Sequence, residues 1–419
     1  MNLQKNYRSD FSSLVLLSGI FLLARILFIL LMPHTYSKDL YAWLQVIDML
    51  KEGKNPYTSS GLLNWPPFWM QMLFAIHKVS FHTSISDTRL IQIVLITAEA
   101  VAMLLTYCIL KRFFNIQNAS KILLIAWALN PIAILLSCQH CNFDIFVGLW
   151  ILLFAMMMLK FFEDRSPLSW LMACFFLGIG VLTKTVPLIL SPLLLIGIQK
   201  QHISTKLFGF VLLLTPVVLG MSIIYALAPE GVKNDVIGYR SLAGWYGITG
   251  ILGLLTMYKA IFFYTEISPL IFVCLMLLVA RHSLKTQSFN PQQFVKIILL
   301  LLIAIPTFGP GYSPPYILWY MPLMIILYSF SSMKIRSLLI VGYIIICVTY
   351  LTEYAFLEGH GAFLVKLLPT PSIISLGNIL GGSKQQVLIR LPMFIWYIIL
   401  FINIVPVLWR NNGIGSAAQ

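Results

Sequence analysis

The chain is poor in charged residues, and this shortage excludes a soluble globular protein. Only 10% of its 419 residues are charged, whereas 59% are hydrophobic. Soluble domains carry roughly 25% charged residues. The mean hydropathy is +0.89, so too few polar side chains are present to cover a surface in contact with water. The composition therefore predicts an integral membrane protein.

Acidic residues are scarcer than basic ones, with 14 Asp and Glu against 28 Lys and Arg. The basic residues stand singly between apolar runs and form no continuous stripe, so a nucleic-acid partner is not expected. Their placement fits the rule that the cytoplasmic loops of membrane proteins are basic. The charge excess therefore indicates orientation in a membrane.

Several motifs are missing from the sequence. It contains no G-x-x-x-x-G-K-[ST] motif, and its short basic loops leave no room for a nucleotide-binding domain. Cys138 and Cys141 form a lone C-x-x-C, which favours two packed thiols over a zinc or haem site. We expect no metal site and no cofactor, although the sequence leaves open a divalent ion near Asp39.

The apolar runs predict an all-α membrane fold with about ten to twelve crossings, because backbone in lipid must hydrogen-bond within its own helix. The first run is longer than the core of a signal peptide and no small-x-small cleavage site follows, so it is expected to stay as a helix. The predicted crossings are 14–32, 90–110, 119–137, 145–162, 167–183, 186–199, 207–228, 266–281, 296–309, 315–332, 337–351 and 391–409.

The charge pattern predicts that both termini are cytoplasmic, since every short connection is then basic on that side. Three long segments, 33–89, 229–265 and 352–390, share the opposite, extracytoplasmic side and carry most of the acids. Long loops are usually functional, so recognition or chemistry is expected there. We interpret 1–419 as one polytopic domain, with a core module over 1–200 and more variable helices over 201–419.

Parts of the long segments are apolar without being clear crossings. Residues 39–51 have apolar side chains at helical spacing and predict an amphipathic helix on the membrane surface. The stretch that follows Trp65 and ends at Lys78 is short for a crossing and is expected to be interfacial or re-entrant. The stretch 242–263 is apolar but broken by four glycines, and it carries the same ambiguity.

A series of short motifs follows in a fixed order along the chain. They are Asp39-Leu-Tyr41, Gly53-Lys-Asn-Pro56-Tyr57, Trp65-Pro66-Pro67, Leu129-Asn130-Pro131, Gln139-His140, Asn142-Phe-Asp144, Thr183-Lys184-Thr-Val-Pro187 and Ser313-Pro-Pro-Tyr316-Ile-Leu-Trp319-Tyr-Met-Pro322. The set resembles the GT-C superfamily of membrane glycosyltransferases, most of all its polyprenol-phosphate-mannose-dependent branch, which includes family-87-like and GPI mannosyltransferase I-like enzymes. The chain departs from that pattern at Pro315, where Gln is usual, and at Asp39, which lacks the second adjacent acid.

The resemblance implies a GT-C fold with extracytoplasmic interfacial helices and an inverting hexosyltransferase activity. A polyprenyl-phosphate-sugar, with mannose the favoured sugar, would be the donor, and a glycolipid, a polysaccharide or a protein would supply the acceptor hydroxyl. Such a donor carries its own phosphate leaving group, so the enzyme needs a lipid groove, cations for the phosphate and a base. Membrane lipids are the other partners, and the loop composition favours a bacterial plasma membrane over the endoplasmic reticulum.

Asp39 is the candidate catalytic base, because it follows the first helix directly and could take the proton of the acceptor hydroxyl. Its alternative role is to cap the surface helix. Lys184 and Arg240 are the candidates for binding the donor phosphate. The alternatives are a lysine that extends to the interface and an arginine paired with Glu230 or Asp235.

Six further residues are candidates for contact with the acceptor or the sugar: His140, Asp144, Tyr57, Trp65, Trp319 and His360. His140 and Asp144 could instead form a hydrogen bond that closes a helical corner, and His360 could be a solvated loop residue. The aromatic residues could belong to the belt at the membrane interface. Arg25 and Glu99 lie inside apolar runs and predict a structural ion pair between the first two helices.

Other functions are compatible with the same composition. A transporter or flippase of a lipid-linked or small polar substrate is the main alternative, although no repeat of two related halves is visible. A lipid-linked polymerase or ligase and a catalytically silent scaffold are the others. Substitution of Asp39 by Asn would separate an enzyme from a scaffold, because it removes the base and keeps the shape of the side chain.

Overall fold

The structure, a computed structural model, describes residues 2–32, 35–58, 63–196, 198, 201–239, 243–286 and 290–409, with side chains from residue 12 onward. All regular structure in these ranges is helical, and they contain no β-strand. This confirms the all-α integral membrane fold, which is consistent with the GT-C type.

The α-helices of the described residues are numbered along the chain. They are α1 (Asn2–Leu31), α2 (Lys38–Lys51), α3 (Phe68–His82), α4 (Asp87–Phe114), α5 (Ala119–Leu123), α6 (Pro131–Leu135), α7 (Asp144–Asp164), α8 (Pro167–Thr183), α9 (Ile203–Leu227), α10 (Pro229–Gly231), α11 (Gly247–Leu254), α12 (Tyr258–Lys285), α13 (Pro291–Phe308), α14 (Ile317–Phe330), α15 (Met333–Phe356), α16 (Phe363–Leu367), α17 (Pro371–Leu380) and α18 (Ser383–Ile404). Turns of 3₁₀-helix lie at Pro56–Thr58, Val186–Leu195, Pro314–Tyr316, Glu358–His360 and Val405–Leu408, and π-helical turns at Leu124–Ala128, Leu136–His140 and Val232–Ile237.

Eight helices of the described chain are long and apolar enough to cross a membrane: α1, α4, α7, α9, α12, α13, α15 and α18. A ninth crossing results if Ala119–Ala128 and Pro131–His140, which are bent by 53° at a short break, count as one span. The predicted crossings 167–183, 186–199 and 315–332 correspond to apolar helices of 10–17 residues. These three are shorter than about 20 residues, the length that spans the hydrocarbon core.

The core lies around α7 and α13. About two thirds of the span residues of each are buried (67%), against 17% for α1, α9 and α12. The outer helices therefore expose apolar side chains on the side where lipid would lie, and the central helices pack against protein on all faces. Functional side chains at the ends of α7 and its neighbours are consequently held by a rigid scaffold.

The predicted ion pair between the first two membrane helices is confirmed. Arg25 Nη2 lies 2.5 Å from Oε1 of Glu99, and Arg25 Nη1 donates to the carbonyl of Ala128 at 2.6 Å. Trp127 Nε1 also donates to Glu99, at 3.1 Å. Both charged side chains are fully buried, so this cluster ties α1 to α4 and to the bent segment after α5.

The helices predicted in the first long segment are present, and the second segment differs in part from its prediction; their location at the membrane interface stays a prediction. The predicted amphipathic helix corresponds to α2, and the predicted stretch that ends at Lys78 corresponds to α3. In the second segment the chain breaks at Gly244 and Gly247, which both have positive φ, and α12 begins at Tyr258 instead of 266. The prediction placed that start too late because it treated the apolar stretch 242–263 as a separate segment broken by glycines, whereas its last residues, from Tyr258 onward, belong to α12.

Candidate functional site

The three long segments of the chain meet on one face of the helix bundle. The rings of Trp65 and Tyr239 contact each other at 6.2 Å between centroids, which joins the first segment to the second. Gln139 Nε2 donates to the carbonyl of His360 at 2.9 Å, which brings the third segment to the end of the bent helix pair. We call this surface, formed by residues 35–58, 63–86, 228–239, 243–257 and 357–382, the Asp39 face.

A tight corner between the bent helix pair and α7 organises this face. The π-helical turn Leu136–His140 ends at Cys141, which has the left-handed φ of 55°. Asn142 Oδ1 then accepts a hydrogen bond from the backbone N–H of Asp144 at 2.9 Å, and α7 begins there. Trp43 Nε1 donates to the carbonyl of Cys141 at 3.0 Å, so α2 holds the corner in place.

Asp39 points at this corner from the first turn of α2. Its Oδ2 accepts two hydrogen bonds, from His140 Nε2 at 2.9 Å and from Asn142 Nδ2 at 2.7 Å. The side chain is 38% exposed, and Oδ1 has no hydrogen-bond partner in the described part of the chain. The helix-capping alternative is wrong, because Ser37 occupies the N-cap and Asp39 bonds to the corner instead of its own helix.

The surroundings of Asp39 keep it ionised. Its partial burial acts to raise the pKa of the carboxyl, but the charge and hydrogen bond of His140 and the amide of Asn142 outweigh this and hold the pKa below its usual value. A carboxylate with one oxygen saturated and the other open can accept a proton from a group that approaches from the Asp39 face.

His140 sits between α2 and α15. Its Nδ1 is hydrogen-bonded to the hydroxyl of Tyr354, and its ring contacts that of His360 at 5.6 Å between centroids. The alternative of a His140–Asp144 bond is therefore wrong, because the left-handed turn at Cys141 directs the two side chains to different partners. Neither ring nitrogen of His140 is left free.

His360 is not a solvated loop residue, and that alternative is also wrong. Its side chain is 17% exposed, and its Nε2 lies 3.4 Å from Oε2 of Glu353. Glu353 in turn pairs with Arg390, whose Nε lies 2.7 Å away. Burial lowers the pKa of His360 to about 4, and the nearby Glu353 offsets only part of that shift.

Lys184 occupies the end of α8, where the chain leaves the helix in extended conformation before Pro187. The extended backbone of Lys184, with φ −159° and ψ 143°, ends α8 and turns the side chain inward. Its Nζ lies 2.9 Å from Oδ1 of Asp144, and the same oxygen accepts from Trp319 Nε1 at 2.9 Å. Asp144 Oδ2 is buried and has no partner within the described chain.

Four aromatic rings surround the ammonium group of Lys184. The ring centroids of Tyr316, Trp65, Trp319 and Phe143 lie 4.6, 4.9, 5.0 and 5.7 Å from Nζ. Tyr316 and Trp319 stack on each other at 4.0 Å. Lys184 is only 8% exposed, so the alternative of a lysine extended to the interface is wrong. Cation–π contacts of this kind hold a charge in a desolvated place.

A cavity of about 460 Å³ opens beside this lysine. Its wall includes Asn64, Trp65 and Lys184, which lie next to each other and which we call the polar head of the cavity. Asn64 Oδ1 and Trp65 Nε1 are buried there without a partner among the described residues. The remainder of the wall comes from the 3₁₀ segment after α8 and from α12 and α13, and it is mainly apolar, including Val186, Leu188, Ile189, Phe272, Met276 and Ile305. The cavity therefore has a polar head and an apolar body.

A continuous chain of hydrogen bonds connects the two charged positions. Asp39 accepts from the amide of Asn142, Asn142 accepts from the backbone of Asp144, and Asp144 accepts from Lys184. The corner of α7 is thus the common support of an exposed carboxylate and of a caged ammonium. A displacement of the corner would move both groups together.

The predicted site residues fall into two groups around this corner. Asp39, His140 and His360 lie on one side, and Asp144, Lys184, Trp65 and Trp319 on the other. Tyr57 is a supporting residue, since it is buried and its hydroxyl donates to the carbonyl of Trp65 at 2.9 Å. Arg240 lies outside the described residues. Their contacts with substrate stay predictions.

The aromatic-belt alternative is wrong for Tyr57, Trp319 and the neighbouring Tyr312 and Tyr316, because all four are buried in the protein. Asn142 was not predicted as a site residue, although it stands in the Asn142-Phe-Asp144 motif. The group of Glu353, Tyr354 and Arg390 was not predicted either. An acid at the end of an apolar run was the signal that could have found that group.

No cluster of three or more metal-ligating side chains occurs in the part of the chain that the structure describes. Cys138 and Cys141 are both buried and unpaired. The presence or absence of a cofactor stays a prediction.

Residues 66–228 match the profile of the family described as Dolichyl-phosphate-mannose-protein mannosyltransferase. No curated protein matches the chain. The matched region is less than half of the chain, and it contains the corner, Asp144 and Lys184 but not Asp39. Together with the helical membrane fold, the match supports a GT-C membrane glycosyltransferase of mannosyltransferase-like type.

Proposed function

We propose that this protein transfers a hexose from a polyprenyl-phosphate-sugar to an acceptor hydroxyl, with inversion at the anomeric carbon. The observation that carries the proposal is the position of Lys184. Its ammonium lies at the polar head of a mainly apolar cavity and is linked through Asp144 and Asn142 to the carboxylate of Asp39. A lipid phosphate and an acceptor hydroxyl require two such groups at fixed separation.

The cavity suits the donor in shape and in chemistry. The apolar walls from α12, α13 and the 3₁₀ segment after α8 would take the first isoprene units, and Lys184 would meet the phosphate. Asn64 Oδ1, Trp65 Nε1 and Asp144 Oδ2 are polar atoms without a partner in the described chain, and they would bind sugar hydroxyls. Leaving buried polar atoms unpaired is costly, so a polar ligand is the natural partner for them.

The reaction would follow from this arrangement. Asp39 Oδ1 takes the proton of the acceptor hydroxyl as that oxygen forms a bond to the anomeric carbon. The bond from the anomeric carbon to the phosphate oxygen breaks, and its electron pair leaves on the phosphate. Lys184 stabilises the charge that develops there, in a place from which the aromatic rings exclude water.

The finer assignments rest on the resemblance and on the match. Mannose is the proposed sugar, and a family-87-like or GPI mannosyltransferase I-like enzyme is the proposed type. We propose that the Asp39 face is extracytoplasmic, because the short basic connections lie at the other end of the helices. A glycolipid, a polysaccharide or a protein would carry the acceptor hydroxyl, and a bacterial plasma membrane is the favoured location.

The first test is transfer of radiolabelled mannose from synthetic polyprenyl-phosphate-mannose to the endogenous acceptors of membranes that contain the protein. Asp39→Asn keeps the shape of the side chain and removes the base. We expect the rate to fall by about 10²–10⁴-fold, which is the usual contribution of a general base. The matched control is Asp48→Asn, an exposed acid on the same helix that pairs with Lys51.

The outcomes separate the proposal from its alternatives. Transfer by the wild type and by Asp48→Asn, but not by Asp39→Asn, supports both the enzyme and the base. Equal transfer by all three would remove Asp39 from the mechanism. If the wild type moves no label from mannose, glucose or arabinose donors, the transferase proposal fails and a transporter or flippase becomes the function to test.

A further inference from the structure

The two oxygens of Asp39 have different surroundings. Oδ2 already accepts hydrogen bonds from His140 Nε2 and from Asn142 Nδ2. Oδ1 has no partner among the described residues and belongs to a side chain that is 38% exposed. Only Oδ1 is therefore open to a group that arrives from outside.

The tautomer of His140 follows from its partners. A carboxylate oxygen only accepts, so the Nε2 that faces Asp39 must carry a hydrogen. In the neutral ring Nδ1 is then an acceptor, and the hydroxyl of Tyr354 faces it as the donor. The backbone of His140 is fixed as well, because its carbonyl accepts from Ser37 Oγ at 2.7 Å. The ring can neither turn nor exchange tautomers without breaking one of these bonds.

We infer that His140 is a positioning residue for the base and does not bind the sugar: Tyr354 fixes its Nε2–H tautomer, and His140 holds Oδ2 of Asp39 so that Oδ1 receives the acceptor proton. This inference rests on the proposed function. It replaces the predicted contact of His140 with the acceptor, since both ring nitrogens are occupied by protein groups. It also assigns a role to Tyr354, which the sequence analysis left without one.

Asp39 is the acid in direct contact with His140. The ring of His360 lies 5.6 Å from that of His140 between centroids, and it faces Glu353. Glu353 pairs in turn with Arg390 at 2.7 Å. The imidazole of His140 therefore acts on Asp39 and not on Glu353.

The consequence is an effect on kcat that a role in binding the sugar would not produce. Loss of the His140 contact should misplace Oδ1 of Asp39 and slow the proton transfer, whereas donor binding depends on Lys184 and the cavity. The value of kcat should therefore fall while the KM for the donor stays the same.

The test compares two variants of the full-length protein in the mannose-transfer assay. His140→Gln can still donate to Asp39 but has no ring nitrogen for Tyr354, and Tyr354→Phe removes the hydroxyl alone. We expect kcat to fall by about tenfold in each, the lower end of the effect of losing a second-sphere partner, with little change in the KM for the donor.

Two controls match these variants. His77→Gln alters another histidine beside a carboxylate, since His77 Nδ1 lies 3.4 Å from Asp87. Tyr343→Phe removes a hydroxyl from the same helix as Tyr354. Both should keep the wild-type kcat and the wild-type KM for the donor.

The results distinguish this inference from the proposed function. If the wild type transfers and Asp39→Asn does not, but His140→Gln keeps the wild-type kcat, the positioning role is wrong and the transferase stands. If the wild type transfers nothing, the proposed function itself fails. If His140→Gln does not elute as a folded protein in size-exclusion chromatography, Tyr354→Phe decides, because a wild-type kcat in that variant overturns the inference.

Discussion

At the scale of single residues, the Lys184–Asp144 pair determines what the cavity can bind. Both side chains are almost fully buried, and two charges in a dry place are stable only when hydrogen bonds and neighbours offset their lost hydration. Trp319 and the ring cage supply these contacts. One N–H of the ammonium donates to Asp144. The other two have no hydrogen-bond acceptor among the described residues, so the cation is preorganised to bind an anion.

We predict that Lys184→Gln reduces kcat/KM for the polyprenyl-phosphate donor by about 10²-fold or more, because the leaving phosphate loses its cation. The measurement is initial-rate kinetics at several donor concentrations. The control is Lys78→Gln, since Lys78 also lies over an aromatic ring, that of Phe74 at 5.1 Å, but on the exposed side of α3. Equal kinetics for the two variants would show that Lys184 does not face the phosphate.

The sequence revealed the reactive residue types of the site but not their partners. Asp39 and Lys184 stand in short motifs beside helix ends, and such positions can be read from the sequence. Tyr354 could not be found in this way, because its contact with His140 joins residues 214 positions apart. The direction of the His140 side chain depends on the left-handed backbone of Cys141. A sequence does not reveal that conformation at a residue that is not glycine.

At the scale of helices, the close approach of α7 and α14 positions the aromatic rings around Lys184. A Cβ added at Gly148 would overlap the carbonyl oxygen of Leu318 on α14. Small residues allow membrane helices to approach at backbone distance. Trp319 follows directly after Leu318 and reaches Asp144 at the start of α7. The helix spacing at Gly148 therefore sets the distance between the tryptophan and the carboxylate.

We predict that Gly148→Ala lowers the stability of the protein by about 1–3 kcal/mol, the usual cost of overpacking a core. It should also reduce transfer, because α14 moves away and carries Trp319 with it. Melting temperatures of the purified protein in detergent and the mannose-transfer rate are the measurements. Gly19→Ala is the control, since its added Cβ meets nothing within 4 Å. Similar losses in both variants would contradict the packing argument.

Helices were predictable where an apolar run and a turn signal agreed, and less so elsewhere. Pro167 and Pro187 bound the segment that contains α8, whose span matches the prediction. The start of α12 was missed by eight residues, because the residues before 266 were assigned to the separate apolar stretch 242–263. The π-helical turns at 124–128 and 136–140 were also not predicted, since they depend on tertiary contacts such as the Arg25 bond to Ala128.

At the scale of the whole molecule, the third long segment closes the site with a histidine that is held neutral. Burial lowers the pKa of His360 from 6.5 to about 4. The unfolded chain therefore binds a proton at His360 below about pH 6.5, whereas the folded protein resists it until near pH 4. The contribution of His360 to the free energy of unfolding is therefore fully present above pH 6.5, and it is lost as the pH falls from 6.5 to about 4.

We predict that acidification from pH 7 to pH 5 lowers the melting temperature of the wild type. Between pH 6.5 and pH 4, protonation of His360 should lower the free energy of unfolding by up to ~3 kcal/mol in total. His360→Gln should show a smaller decline over the same range. His77→Gln should decline like the wild type, because His77 lies at the rim of the bundle. Parallel declines in wild type and His360→Gln would mean that another group causes the acid sensitivity.

The contact between His140 and Tyr354 also has a consequence for biogenesis. Helices enter a membrane in the order of synthesis, and the base, the corner and the lysine are all present by residue 184. The hydroxyl that fixes the imidazole belongs to Tyr354 on α15, which is synthesised about 170 residues later. A nascent chain therefore contains the main walls of the cavity beside Lys184 before its base is aligned. At that stage it can bind the donor but does not transfer the sugar until insertion is complete.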